Sequence, residues 1–106
     1  MADESILTSS PACLVSDITA RKRTCGEVME AFLERIEAVN AAVNAICTLD
    51  DQGAREQAIA LDAALARGQK PGPLCGLPIA IKDLVETRGM RTTQGSPLLS
   101  NWVPDH

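Results

Sequence analysis

A lysine that ends an uncharged apolar run is the residue of this sequence best suited to chemistry. Leu77-Pro78-Ile79-Ala80-Ile81 leads directly into Lys82 and Asp83. An amine acts as a general base only when neutral, and a free lysine titrates near about 10.4. Lowering that by about 3 units corresponds to about 4 kcal/mol against the charged form, which desolvation in an apolar layer can supply. Periodicity alone gives Lys82 a simpler reading, a lysine whose stem lies on the core while its head reaches water. Asp83 is either an orienting group for the following turn or a solvated loop acid. His106 stands alone at the chain's end. The cysteines, Cys13, Cys25, Cys47 and Cys75, lack the C-x-x-C pairs of zinc and redox motifs and read as small hydrophobes kept reduced and buried. Neither ligand spacing nor a phosphate-cradling glycine motif occurs, so no metal and no organic cofactor is expected.

Positioning such a lysine requires elements that the sequence signals upstream. Ser10-Pro11 is a cap followed by proline at a first helical position, which predicts a short helix to about Arg21, with Leu14, Val15 and Ile18 on one face. Thr24 and Glu27 form a capping box, and Val28, Phe32, Ile36 and Val39 follow at helical spacing, widened by Met29 and Leu33. A helix over 24–40 is predicted. Residues 45–49 suit a brief extended segment. A further helix is predicted over 51–67, with Ala54, Ala58, Leu61 and Leu65 buried, Arg55, Glu56, Asp62 and Arg67 exposed, and Gly68 ending it in a left-handed cap. The helices are expected to pack through Phe32, Ile36, Leu61 and Leu65.

Residues 70–76 form a turn-rich connector, and the unalternating run 77–82 is the pattern of a strand covered on both faces in an α/β sheet. Beyond it, the segments 84–87 and 90–93 flank Arg88-Gly89 as a hairpin or paired extended stretches. A buried strand needs neighbours for its backbone groups, each costing about 1 to 3 kcal/mol when unpaired. The chain offers few, so it reads as the first part of a larger α/β unit.

Length and composition set the remaining bounds. The 106 residues suffice for one small domain, and 45% hydrophobic with 23% charged residues is an ordinary globular balance. Phe32 and Trp102 are the aromatic residues, so the core must come from Ala, Leu, Ile and Val. A net charge of -4, without a basic cluster, gives no footprint for nucleic acid. No apolar run approaches membrane-spanning length, and acidic residues stand where a signal peptide needs basic ones. A cytoplasmic chain without a membrane or nucleic-acid partner is expected.

The run Gly72-Pro73-Leu74-Cys75-Gly76-Leu77-Pro78-Ile79-Ala80-Ile81-Lys82-Asp83, followed by Thr92-Thr93-Gln94-Gly95-Ser96-Pro97, resembles the amidase-signature family. That family shows G-P-L-x-G-x-P-x-x-x-K-D and then T-T-x-G-S. Upstream, Arg35-Ile36-Glu37-Ala38-Val39-Asn40, Asn44-Ala45 and Ala60-Leu61-Asp62 are also similar, so the likeness covers the chain from about Thr24 onward. The resemblance implies an α/β fold, a mixed central sheet flanked by helices, of which 1–106 is the N-terminal part of a single amidase domain. Within it, 1–23 is an arm and short helix, 24–68 two amphipathic helices, and 69–106 the connector, the catalytic-lysine strand and a hairpin or loop.

The resemblance also implies a role for Lys82. In such enzymes the matching lysine belongs to a Ser-cisSer-Lys triad, taking a proton from a bridging serine that activates a nucleophilic serine toward an amide carbonyl. Thr92, Thr93, Gly95 and Ser96 resemble a segment near the active site, and Ser96 is not the expected nucleophile. Cys75 replaces a histidine common in relatives. The larger departure is that both catalytic serines and the oxyanion-hole glycines lie in stretches this sequence lacks. Three readings follow: a piece of an amidase completed by the remainder of its domain and acting on a small-molecule amide, one component of an enzyme completed by a companion chain, or a truncated non-catalytic interaction module.

Overall fold

The computed structural model describes residues 3–106, so the first two residues of the expected N-terminal arm lie outside the described residues. The chain divides into two compact units, Met1–Val43 with Asp51–Pro78, and Asn44–Asp50 with Ile79–His106.

The first unit is helical: α1 (Glu4–Thr8), α2 (Pro11–Thr19), α3 (Cys25–Val43) and α4 (Asp51–Ala66). Its start signals work as the sequence predicts. The Ser10 hydroxyl accepts from Cys13 N to cap α2. At α3 the capping box closes in both directions, with Thr24 N donating to Glu27 Oε2 at 3.1 Å and Glu27 N to Thr24 Oγ1 at 3.0 Å. α4 ends where Gly68 takes φ +88°; Gly68 N donates to Leu65 O and Gln69 N to Ala64 O, the paired bonds of a left-handed helix cap. The same pair ends α2, where Arg21 adopts φ 59° and Lys22 N reaches Asp17 O. The Arg21 guanidinium donates to Leu65 O at 2.5 Å, a bond that offsets the cost of a non-glycine residue there. α1, capped by Asp3, was not signalled by any apolar period.

Its core is Ile6, Leu14, Ile18, Cys25, Val28, Ala31 and Ala58, with Phe32, Leu65, Cys75 and Leu77 packed against it. α4 turns Ala58 and Leu65 to the core as expected and departs from that face at Leu61 and Asp62. Leu61 is 39% exposed, whereas Asp62 is half-buried and accepts from Cys25 N at 2.7 Å and Gly26 N at 3.0 Å. Two first-turn amides of α3 thus end on a carboxylate, which also suits the positive end of the helix dipole. Arg55, on the same helix, stays part-exposed and forks onto Glu30 at 2.9 and 3.0 Å while pairing with Asp51.

The cysteines divide, since Cys25 is buried and Cys75 partly so but Cys13 and Cys47 are exposed, correcting the expectation that all are buried. Burial first, then the neighbouring Asp62 carboxylate, pushes the Cys25 thiol up to about 12. Alkylation at pH 8 should therefore modify Cys13 and Cys47 in the native chain and spare Cys25 until unfolding, because the thiolate is the nucleophile. Peptide mapping after timed iodoacetamide treatment checks this; Cys25 reacting as fast as Cys13 would contradict it.

No strand occurs among the described residues, which corrects the expectation of the first strands of a mixed sheet. Residues 77–82 are neither helical nor laddered, and Ile79 is 81% and Ile81 49% exposed. The amides of Ile79, Ala80, Ile81 and Lys82 donate no hydrogen bond among the described residues. The physical reason is pairing: a sheet strand needs another strand's carbonyls, and no described segment offers them. Residues 45–49 form no strand either.

The second unit is held by turns. Met90 N donates to Thr87 O across Arg88-Gly89, with Gly89 at φ +77°, so the turn is where expected. Its flanks do not pair with each other as a hairpin. Gly89 N instead donates to Pro104 O and Thr92 N to Trp102 O at 2.9 Å. Arg91 ties the unit together by donating to Ser100 O and Cys47 O. No described helix is long and apolar enough to cross a membrane.

Candidate active site

Lys82 opens a tight turn in the second unit, its carbonyl accepting from Val85 N at 3.0 Å. The side chain is exposed, and no hydrogen bond or ion pair reaches its amine among the described residues. This corrects the expectation of a desolvated lysine inside an apolar layer. The cause is the one that removes the strand, since the described residues place no layer over Ile79, Ala80 and Ile81.

The turn is fastened to the Thr-Thr-x-Gly-Ser segment by Asp83. One carboxylate oxygen accepts from Thr93 N at 2.7 Å, the other from the Thr93 hydroxyl, and the Asp83 carbonyl accepts from Gln94 N at 3.0 Å. The Thr93 hydroxyl also accepts from Gly95 N, so one side chain closes the loop and receives the clasp. The Thr93 hydroxyl first, then the Thr93 amide, holds the Asp83 carboxyl below the usual carboxylate range. Of the two sequence readings of Asp83, the orienting one matches this geometry.

Thr92 is the second unit's buried polar residue, 2% exposed. Its hydroxyl donates to Met90 O and accepts from Thr87 N, and its amide is used by Trp102 O. Sequence reasoning placed Thr92 in a motif but gave no sign of its pairing with residues 102–104, since no apolar alternation marks them. Ser96 caps the short 3-10 helix Pro97–Leu99 by accepting from Leu98 N. His106 is exposed, and Asp105 and then Glu86 raise its pKa. No group of three or more potential metal ligands occurs among the described residues.

The connector that leads to this site is shaped in the first unit. Cys75 N donates to Gly72 O and Leu77 N to Leu74 O, two successive turns through Gly76 at φ +79°. A Cβ on Gly76 would stand 2.7 Å from Ile18 Cδ1 and 2.8 Å from Cys25 Sγ. Only glycine fits both the conformation and the space.

With the glycine-shaped connector, the lysine turn and the clasped threonine loop inside the matched stretch, the chain belongs to the Amidase family, whose model matches residues 27–106. Among its relatives is the A subunit of the glutamyl-tRNA(Gln) amidotransferase of Acidothermus cellulolyticus, 47% identical over 93 residues, covering 88% of this chain and 18% of the relative. Its counterpart from Streptomyces coelicolor is 42% identical over 101 residues, covering 95% of this chain and 20% of the relative. A solved neighbour comes from an inhibitor-bound vestigial protein complex that reveals the evolutionary origins of an s-triazine catabolic enzyme. It superposes with a TM-score of 0.79 at 32% identity, covering 84% of this chain and 20% of that one. The chain thus spans about a fifth of the length of the curated relatives it matches.

Proposed function

We propose that the complete protein is an amidase that breaks a carbon–nitrogen bond of a small-molecule amide through a Ser-cisSer-Lys triad, with this chain supplying Lys82 as the base. The observation that carries the reading is the coincidence of two motifs in one clasp: the lysine of the K-D pair and the T-T-x-G-S loop, distant by ten residues between their bonded members Asp83 and Thr93, are tied directly together. The bridging serine, the nucleophile and the oxyanion donors come from the remainder of the amidase domain or from a companion chain. In that setting 77–82 becomes a covered strand of a mixed sheet, its free amides gain partners, and burial favours the neutral amine. The lysine then takes the bridging serine's proton as that serine activates the nucleophile.

The relatives are components of an amidotransferase and the solved neighbour comes from a complex, which supports a chain that works within a larger assembly. An exposed Lys82 favours one further point, that the 106-residue chain by itself turns over no amide. Ammonia release from primary amides, measured with the 106-residue chain and with the polypeptide extended by the remainder its relatives carry, tests both: turnover is expected only from the latter. Turnover by the short chain, or none by the extended one on any amide, would contradict the reading.

A further inference from the structure

We infer that Asp83 and Thr93 form a positioning clasp for Lys82, so that the Thr93 hydroxyl acts on the reaction through the lysine turn without touching substrate. The inference rests on the reading of Lys82 as the base. Three bonds join Asp83 to the threonine loop, two to its carboxylate and one to its carbonyl. They lie inside the turn that the Lys82 carbonyl closes with Val85 N. The Cα that carries the amine is therefore fixed from one side by the turn and from the next residue by the clasp. Among the described residues the Lys82 side chain makes no hydrogen bond or ion pair of its own to lock it.

A lysine carries four rotatable side-chain bonds, so a small tilt of its backbone is magnified at the amine. A misplacement of about 1 Å at a reacting group can cost on the order of 100-fold in rate. The clasp needs both halves of Thr93. The amide fixes one carboxylate oxygen whatever the side chain, while the hydroxyl engages the other and also receives Gly95 N. Serine keeps the hydroxyl bonds and valine, of nearly the same shape, loses them.

The test is steady-state kinetics of amide hydrolysis by the extended polypeptide carrying Asp83→Asn, Thr93→Val, Thr93→Ser, the Asp83→Asn/Thr93→Val pair, and Lys82→Ala as reference. Asp83→Asn and Thr93→Val should each lower kcat by about 10- to 100-fold with KM changed less than about twofold. The pair should be no worse than either alone, as residues acting as one unit are non-additive, and Thr93→Ser should retain most of the activity. Should Asp83→Asn fail to fold, the valine and serine variants decide. Unchanged kcat in Thr93→Val, with or without a lower melting temperature, overturns the clasp, and so does a Thr93→Ser variant as slow as Thr93→Val. A full loss with Lys82→Ala alongside an unaffected Thr93→Val leaves the base assignment standing and removes only this inference. An unaffected Lys82→Ala removes both.

Discussion

Replacing Lys82 by alanine in the complete enzyme is expected to lower kcat by about 10²- to 10⁴-fold, the range general-base removal produces. KM should change little, because in the proposed role the amine takes a proton in the transition state and binds no part of the substrate in the ground state. The fold should be unaffected. In the 106-residue chain the Lys82 side chain is exposed and makes no hydrogen bond or ion pair among the described residues, and in the proposed covered strand alanine removes a polar amine from an apolar layer, so neither setting loses a bond that holds the fold. Circular dichroism and a melting curve matched to the unsubstituted protein, beside the lost turnover, give the expected pattern. A variant that loses activity only together with its melting transition would point to a structural lysine instead.

The largest effect on stability is expected at Gly76. Alanine there must adopt φ +79°, which costs a residue with a Cβ about 1 to 2 kcal/mol. Its Cβ must also displace Ile18 Cδ1 and Cys25 Sγ from 2.7 and 2.8 Å, an overpacking of the core worth about 1 to 3 kcal/mol. The Cys25 contact cannot yield cheaply, since that side chain is fully buried against Val28 and its neighbours in the core cluster. The sum, about 2 to 5 kcal/mol, is a large share of what a domain of this size possesses. Gly76→Ala in the 106-residue chain should lower the melting temperature by on the order of 15 °C. Gly72→Ala, four residues earlier in the same connector, supplies the contrast. Gly72 has no positive φ, and a Cβ added there would meet no atom within 4 Å, so alanine should stay within about 0.5 kcal/mol of the parent. Equal melting temperatures for the two variants would refute the account of the connector.

How far the sequence revealed the fold depended on whether each signal was local. The capping box of Thr24 and Glu27, the Ser10-Pro11 start and the Gly68 stop all work through bonds spanning three to five residues, and the helices they bound are found within a few residues of the predicted ends. In α4 the apolar period correctly marks Ala58 and Leu65, and the departure at Asp62 is settled across 37 residues: its carboxylate meets the α3 amides, an event that apolar periodicity ranks as improbable for a charged residue. The run 77–82 shows the opposite failure. Its unalternating hydrophobicity is the mark of a two-sided strand, yet that structure depends on partners and covering layers which the described residues do not contain, so Ile79, Ala80, Ile81 and Lys82 stand exposed.

The candidate site was legible as residues and not as geometry. Lys82, Asp83 and the T-T-x-G-S loop could be named from their motifs, and Asp83 could be seen as either an orienting or a solvated acid. The choice between them required the Thr93 bonds. That Thr92 is buried while Ser96 spends its hydroxyl on a helix cap was likewise invisible in a string where both are small hydroxyl residues of one motif. The pairing of residues 89–92 with 102–104 has no sequence signature, because a turn's flanks usually pair with each other.

The central claim, that this chain contributes the base which activates a serine supplied from elsewhere in the complete enzyme, is tested most directly by labelling with a serine-directed phosphonate, followed by intact mass. The 106-residue chain should remain unlabelled, the complete enzyme should take up one label, and Lys82→Ala in the complete enzyme should slow that labelling by at least about 100-fold. Labelling of the 106-residue chain, or equal labelling rates with and without Lys82, would contradict it.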